Sequence, residues 1–130
     1  PPTYIPLRNA IFYSVAASYS EEKRVPLIVG GHNRNDAEVF RDVGGKFFES
    51  LERTLWLRSS ILKQQKTMIQ MPLSRKTKVQ VVKLAASLKV PFELTWSCHR
   101  LGTEHCWECA GCMSRVESFR EAGISDPLHP

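Results

Sequence analysis

The sequence has 130 residues, of which 18 are basic and 13 acidic, so its formal net charge is +5. A chain of this length can bury one hydrophobic core, and its hydrophobic content of 42% is too high for a disordered protein. It contains no apolar run of the ~18 residues that a membrane span needs and no signal-peptide pattern, so we expect neither an integral membrane protein nor a secreted one.

The apolar residues of the N-terminal half predict a helix, a strand and a broken pair of helices. Residues 9–20 repeat apolar side chains at helical spacing. The continuous apolar run at residues 25–29 ends at a Gly-Gly pair, which predicts a buried strand followed by a turn. Helical spacing returns over residues 36–58, where Gly44-Gly45 predicts an interruption.

The C-terminal half continues this alternation. We predict a second strand at residues 68–71, a helix over residues 76–88 capped by Ser74, and a third strand at residues 92–96. Alternating helices and strands are typical of a mostly parallel sheet with helices on both faces. Such a domain normally begins with a strand whose following turn holds a phosphate, whereas this pattern begins with a helix. The sequence therefore looks like the second part of a domain, and its start without methionine predicts a processed or missing N-terminus.

Four cysteines lie close together and form the strongest motif of the chain. They are Cys98, Cys106, Cys109 and Cys112. Zinc prefers four soft ligands in a tetrahedron, and a Cys-x2-Cys spacing lets one tight turn present two thiolates. Four cysteine ligands leave no position for a catalytic water, so the spacing predicts a structural zinc site.

Other interpretations of the cysteines stay open from spacing alone. An iron–sulfur cluster also takes four cysteines, and disulfides or free thiols are a further alternative, although overlapping Cys-x2-Cys pairs would strain a disulfide pairing. We expect His99 and His105, beside the cysteines, to be spectators. His32 follows a strand end, where ligands bind in open sheets, but we assign it no role.

The only tight basic cluster comprises Arg75, Lys76 and Lys78. We interpret it as a solvated helix start in preference to a phosphate contact. An RNA-binding zinc domain would fit the net charge, but no aromatic residues are interleaved near the cluster, so we expect no nucleic-acid partner. The phosphate-loop, dinucleotide and nucleophile-elbow motifs are all missing, and a complete nucleotide site cannot be read from these residues.

Several segments together resemble the C-terminal part of 7-cyano-7-deazaguanine synthases, in the expected order from about residue 4 to residue 127. The most specific is Thr95-Trp96-Ser97-Cys98 with the remaining cysteines, followed by Arg115-x3-Phe119, Glu121-Ala122-Gly123-Ile124 and Asp126-Pro127. Weaker matches are Ile5-Pro6-Leu7-Arg8-Asn9-x2-Phe12 and Pro72-Leu73 with Thr77-Lys78.

The resemblance implies an α/β fold, a parallel-sheet Rossmann-like domain of the adenine nucleotide alpha hydrolase-like type in the N-type ATP pyrophosphatase (PP-loop) superfamily. It would lack its first strand and phosphate loop and carry a C-terminal four-cysteine zinc-binding segment. Residues 1–95 would be the C-terminal part of the ATPase-like domain, and residues 96–130 the zinc-binding segment with a C-terminal helix.

The family implies a cytoplasmic ligase that converts 7-carboxy-7-deazaguanine and ammonia to the nitrile preQ0 with ATP and Mg2+, for queuosine or archaeosine biosynthesis. By position, the four cysteines would hold structural Zn2+, and Arg8, Asn9 and Lys78 would bind nucleotide or substrate. Arg8 offers a planar fork for phosphate or carboxylate, and Lys78 a cation at a helix start. The resemblance assigns no catalytic residue, and it implies a homodimer.

Two departures accompany the resemblance. The family's Ser-Gly-Gly-x-Asp-Ser phosphate loop is absent, so a second chain could carry it. Where many bacterial members have Tyr-Pro-Asp-Cys, this chain has Val39-Phe40-Arg41-Asp42, which is closer to the archaeal variant. The alternative function is a stand-alone zinc-stabilised binding module without catalytic activity.

Overall fold

The computed structural model describes residues 4–57 and 67–129. The chain divides into two compact units, Pro1–Arg75 and Lys76–Pro130. Among the described residues, every helix is too short or too polar to serve as a membrane span. The predicted domain boundary at residue 95 remains a prediction.

The first unit combines three helices with two strands in its described part. The helices are α1 (Arg8–Lys23), α2 (Arg34–Val39) and α3 (Gly45–Trp56), and the strands are β1 (Leu27–Val29) and β2 (Met68–Gln70). A 3-10 turn at Arg41–Val43 separates α2 from α3, and Gly44 is the N-cap of α3. The helix at residues 9–20 and the broken helix pair are therefore confirmed, while Arg58 lies outside the described residues. Both predicted strands form, but β1 is shorter than the predicted residues 25–29 and is not buried, since Leu27 and Val29 are exposed.

The strands β1 and β2 run parallel, as the alternation predicts, with Leu27 opposite Met68 and Val29 opposite Gln70. The ladder continues at Gly30, whose N–H donates to the carbonyl of Gln70 at 2.9 Å. A Cβ at Gly30 would overlap the hydroxyl of Tyr13 and the side chain of Met71. Gly30 therefore leaves room at the carboxyl end of β1 for the outer ends of the Tyr13 and Met71 side chains, which a larger residue would displace.

Helix α1 buries its smaller and more polar face. Its buried residues are Asn9, Tyr13, Ala17 and Ser20. Large apolar side chains on its other face remain more than half exposed; they are Leu7 at the N-cap, Ile11, Phe12, Val15 and Tyr19. The helical spacing of these residues therefore identifies the helix but not the face that packs against this unit.

The second unit pairs helix α4 (Lys78–Ser87) with helix α5 (Ala110–Ala122). The predicted cap at Ser74 is wrong, because α4 begins after Thr77. The Thr77 hydroxyl accepts from the N–H of Gln80, whose side chain accepts in return from the N–H of Thr77. This reciprocal pair is a capping box, which satisfies two backbone donors at once.

The predicted third strand at residues 92–96 is also wrong. The 3-10 turn Phe92–Leu94 occupies this position, and the described sheet has two strands. The N–H groups of Leu94 and Thr95 donate to the carbonyls of Pro91 and Phe92, each at 3.0 Å. Since these backbone groups bond locally, they are not available to a neighbouring strand.

Candidate metal centre

The four cysteines come together from a loop and the start of a helix. Cys98 and Cys106 lie in loops, Cys109 is the N-cap of α5, and Cys112 lies in its first turn. All four sulfur atoms lie within 4.8 Å of one another. This convergence is what the cysteine spacing predicts.

The sulfur separations fit a metal ion better than a covalent bond. Cys106 Sγ lies 4.0 Å from Cys112 Sγ, and Cys109 Sγ lies 4.0 Å from Cys98 Sγ. A regular tetrahedron with zinc–sulfur bonds of ~2.3 Å has sulfur–sulfur edges of roughly 3.8 Å. Both measured separations are about twice the ~2.05 Å of a disulfide bond. The donor set is therefore the right size and chemistry for one tetrahedral ion.

Backbone N–H groups donate to three of the sulfur atoms. His99 N–H lies 3.3 Å from Cys109 Sγ, Arg100 N–H lies 3.4 Å from Cys98 Sγ, and Cys109 N–H lies 3.3 Å from Cys106 Sγ. Hydrogen bonds of this kind favour the thiolate over the thiol because they stabilise the negative charge. The loop thus supplies part of the stabilisation that thiolate ligands require.

The pKa values of the thiols differ with their surroundings. The N–H of His99, with further hydrogen bonds, lowers the pKa of Cys109 to about 5. The N–H of Glu108 likewise lowers the pKa of Cys106. Burial raises the pKa of Cys112 to about 12, so binding of a metal ion at this sulfur would be accompanied by release of a proton.

Gly111 allows the helix carrying Cys112 to approach the loop carrying Cys98. A Cβ at Gly111 would overlap the carbonyl oxygen of Ser97 and lie 2.8 Å from Nε2 of His99. Gly111, the residue just before Cys112, therefore has to lack a side chain. This requirement comes from tertiary packing, and cysteine spacing does not reveal it.

The buried Arg115 holds the segment before Cys98 against α5. It forms a two-bond ion pair with Asp126, with Nε–Oδ2 at 2.5 Å and Nη2–Oδ1 at 2.7 Å, and both side chains are 4% exposed. The same guanidinium donates to Thr95 Oγ1 at 2.7 Å and to the carbonyl of Phe92 at 3.3 Å, and lies over the ring of Phe119. Arg115 therefore ties three stretches of the second unit together.

Histidine and tryptophan rings lie beside the cysteines. His105 is buried, and its Nε2 accepts from the N–H of Ser97 at 3.0 Å. Its ring lies 4.4 Å from that of Trp96 and 4.9 Å from that of Trp107, measured between centroids, and Trp107 in turn meets His129 edge-on at 4.6 Å. This cluster of rings was not predicted from the sequence, because the spacing of its members matches neither the helical nor the strand repeat.

The residues expected to bind nucleotide or substrate are divided between the two units. Arg8 and Asn9 begin α1, and Asn9 is buried with its side-chain amide donating to Asp42 at 2.9 Å. Lys78 begins α4, and its Nζ donates to Ser114 Oγ at 3.1 Å. The Asn9–Asp42 bond joins the start of α1 to the 3-10 turn before α3.

The first unit places His32 in a polar and aromatic cluster just beyond β1. Its ring lies 6.0 Å from that of Tyr13 and 5.8 Å from that of Phe48. Burial lowers the pKa of His32 and outweighs the nearby Asp36 and Asp42, which raise it, while Arg8 adds to the lowering. Burial likewise raises the pKa of Tyr13. His32 is therefore neutral at pH 7.

Comparison with known proteins agrees with the resemblance of the motifs. Three similar proteins, all named 7-cyano-7-deazaguanine synthase, come from Thermoplasma volcanium, Thermoplasma acidophilum and Sulfurimonas denitrificans, at 41%, 38% and 38% identity. Each alignment covers 98% of this chain and, in that order, 53%, 54% and 56% of the relative. The chain therefore spans about half the length of the curated relatives it matches. Residues 1–123 match the family described as queuosine biosynthesis protein QueC, and the chain belongs to that family.

Proposed function

We propose that this chain is the zinc-binding part of an ATP-dependent ligase that converts 7-carboxy-7-deazaguanine and ammonia to 7-cyano-7-deazaguanine (preQ0). The observation that carries the proposal is the four-thiol cluster in a chain whose residues 1–123 match the QueC family. The relatives' name, 7-cyano-7-deazaguanine synthase, supports the proposed product. We further propose a cytoplasmic enzyme of queuosine or archaeosine biosynthesis.

The reaction requires that both carboxylate oxygens be replaced by one nitrogen. A carboxylate oxygen is a poor leaving group. If the substrate carboxylate attacked the α-phosphorus of ATP, it would become an acyl adenylate and pyrophosphate would be released. Ammonia would then displace AMP to form an amide, whose remaining oxygen must be activated in turn before the nitrile forms. ATP with Mg2+ is therefore the proposed co-substrate.

We propose that Cys98, Cys106, Cys109 and Cys112 bind one structural Zn2+. Four thiolates fill a tetrahedral shell, so the ion would support folding and leave no site for a reacting water. Metal analysis of the purified protein tests this proposal. One zinc per chain is the expected result, whereas stoichiometric iron with the visible absorption of a cluster would contradict it.

We propose that Arg8, Asn9 and Lys78 face the nucleotide or the substrate. A planar guanidinium suits phosphate or carboxylate, and Lys78 places its charge at the start of α4, where the helix dipole also favours an anion. These 130 residues lack the Ser-Gly-Gly-x-Asp-Ser loop. We therefore propose that residues outside them, on the same or a second polypeptide, grip the pyrophosphate, and that the enzyme is a homodimer.

The decisive assay incubates the full-length, metal-loaded protein with 7-carboxy-7-deazaguanine, ATP and ammonium, and follows the products by mass spectrometry. The expected result is the nitrile together with AMP and pyrophosphate. Complete absence of amide and nitrile would contradict the ligase and favour the stand-alone zinc-stabilised binding module.

A matched pair of lysine variants tests the nucleotide side of the proposal. Lys78→Met removes a charge-assisted contact and should raise KM for ATP by about tenfold or more. Lys83→Met removes an exposed lysine from the same helix and should leave KM unchanged. Equal KM values in the two variants would contradict the role of Lys78.

A further inference from the structure

The second unit contains an open groove of about 470 Å3 beside the metal centre. Its volume lies within the range of about 300–1,000 Å3 that is typical of small-molecule sites. The groove lies between the segment around the Phe92–Leu94 turn, the loop before Cys106 and the C-terminal segment. The lining residues that carry the argument are Glu93, Trp96, Glu104, His105, Trp107 and Leu128.

Two tryptophan side chains line this groove, and each packs against the ring of His105. Trp96 is half exposed, and its indole N–H donates to the carbonyl of Cys98 at 2.9 Å. Trp107 lies between Cys106 and Cys109 with φ of 57°, a left-handed conformation that a bulky residue adopts only where its surroundings impose it. Both indoles are thus anchored to the cysteine loops, and rigid aromatic faces of this kind stack on planar rings.

The polar side chains that line the groove include two carboxylates, which accept hydrogen bonds. Glu93 and Glu104 are exposed, and within residues 4–57 and 67–129 neither carboxylate forms an ion pair. His105 Nε2 accepts from the N–H of Ser97 at 3.0 Å, so this ring nitrogen is already bonded to the loop backbone.

We propose that this groove binds the heteroaromatic ring of the substrate, as a guanine-type base, an inference that rests on the proposed function. A guanine-type ring presents N1–H and a 2-amino group side by side, and a carboxylate accepts both hydrogen bonds at once. Trp96 and Trp107 supply the stacking faces, and Glu93 and Glu104 supply the acceptors. The substituent at C7 lies on the five-membered ring, away from the donor edge, so its carboxylate is not forced against the glutamates.

The groove favours this ring over the adenine of ATP. Adenine has an unprotonated N1, and a carboxylate opposite that atom gains no hydrogen bond. When a binding site offers a hydrogen-bonding group and the ligand has no matching atom, that group loses its partner on binding, which discriminates strongly between rings of similar shape. The expected preference is therefore for 7-deazaguanine over 7-deazaadenine, which share their size and stacking surface.

Ring binding can be measured without turnover. The full-length, zinc-loaded protein is titrated by calorimetry with 7-deazaguanine, 7-carboxy-7-deazaguanine and 7-deazaadenine, in the absence of ATP. The wild type should bind the two guanine-type rings at least about tenfold more tightly than 7-deazaadenine, as expected for a hydrogen bond to a charged group. Equal affinity for all three rings would overturn the proposal.

Charge-neutral variants locate the site. Glu93→Gln combined with Glu104→Gln should weaken binding of both guanine-type rings by about tenfold or more. The matched control, Glu117→Gln, removes an exposed carboxylate of α5 outside the groove and should bind like the wild type. An unchanged dissociation constant in the double variant would overturn the proposal, even if the enzyme makes the nitrile normally.

The groove and the proposed reaction can fail separately. Weak, carboxylate-independent ring binding by a protein that forms the nitrile would overturn the groove and leave the ligase standing. Tight ring binding that the double variant abolishes, in a protein that forms neither amide nor nitrile, would support the groove and contradict the ligase.

Discussion

Replacing Arg115 by methionine should destabilise the second unit by about 3–5 kcal/mol, because removing one partner strands the other in a buried site. The carboxylate of Asp126 would keep only the N–H of Leu128 at 3.2 Å among its present partners. Thr95 and Phe92 would also lose the donors that now reach them. Methionine keeps much of the apolar stem, so the loss comes mainly from the missing guanidinium.

Urea unfolding of the zinc-loaded protein measures this loss. The matched control is Arg120→Met on the same helix, whose ion pair with Glu117 spans 3.9 Å between side chains 73% and 65% exposed. Exposed pairs of this kind contribute at most about 1 kcal/mol, so the control should unfold close to the wild type. If Arg115→Met lost less than about 1 kcal/mol, water would have to reach the pair, and the reasoning from burial would be refuted.

The same ion pair makes a pH prediction with a defined sign. Burial raises the pKa of Asp126, but the hydrogen bonds from Arg115 and Leu128 outweigh it and hold the pKa below its usual range. The carboxylate therefore contributes stability above its unfolded pKa of about 3.9, and this contribution is lost as pH falls through the lower folded value. The difference in unfolding free energy between wild type and Asp126→Asn should accordingly shrink over that window. A constant difference would contradict the assignment.

Three further predictions concern the metal centre and the first unit. Cys109→Ser or chelation should remove the metal and unfold residues 98–122, seen as loss of helical circular dichroism; an unchanged thermal transition would contradict a structural site. Gly111→Ala should lower the free energy of unfolding by about 1–3 kcal/mol and let a chelator remove the metal more easily, because the Cβ of alanine would meet the carbonyl of Ser97. In the control Gly45→Ala the added Cβ meets no atom within 4 Å, so this variant should be tolerated. Because burial lowers the pKa of His32, the contribution of this residue to stability is present above the unfolded pKa of about 6.5 and is lost as the pH falls through the folded pKa. In His32→Gln, the free energy of unfolding measured in urea should therefore depend less on pH in this range. An unchanged pH dependence would contradict burial of the ring.

The helices and strands of the first unit could be predicted because local patterns determine them. The run of apolar residues before Gly30 forms β1, and the glycine pair at Gly44-Gly45 lies where α3 begins. The packing face of α1 could not be predicted, because periodicity shows which residues share a face but not what lies opposite them. The cap of α4 could have been found, since Thr77 and Gln80 have the spacing of a capping box.

The candidate site was predictable to the extent that it depends on short-range spacing. Each Cys-x2-Cys step brings two sulfurs to the same turn of the chain, and the four sulfurs do converge. The strand predicted at residues 92–96 does not form because Leu94 and Thr95 bond to the backbone just before them. Arg115, which lies far along the chain, also bonds to Phe92 and Thr95, and no local pattern shows this contact. The groove could not be predicted either, because its lining residues come from three separate stretches of the chain that are brought together only in the folded unit.

The exposed apolar face of α1 has a practical consequence for work with the isolated 130-residue chain. Its members are Leu7, Ile11, Phe12, Val15 and Tyr19, each more than half exposed. A continuous apolar surface of this kind adheres to other apolar surfaces, and salts such as sulfate strengthen that adhesion. The chain should therefore be retained strongly on a hydrophobic-interaction column and should self-associate when concentrated in ammonium sulfate. Replacing Phe12 and Tyr19 by glutamate should shorten the retention and keep concentrated samples clear.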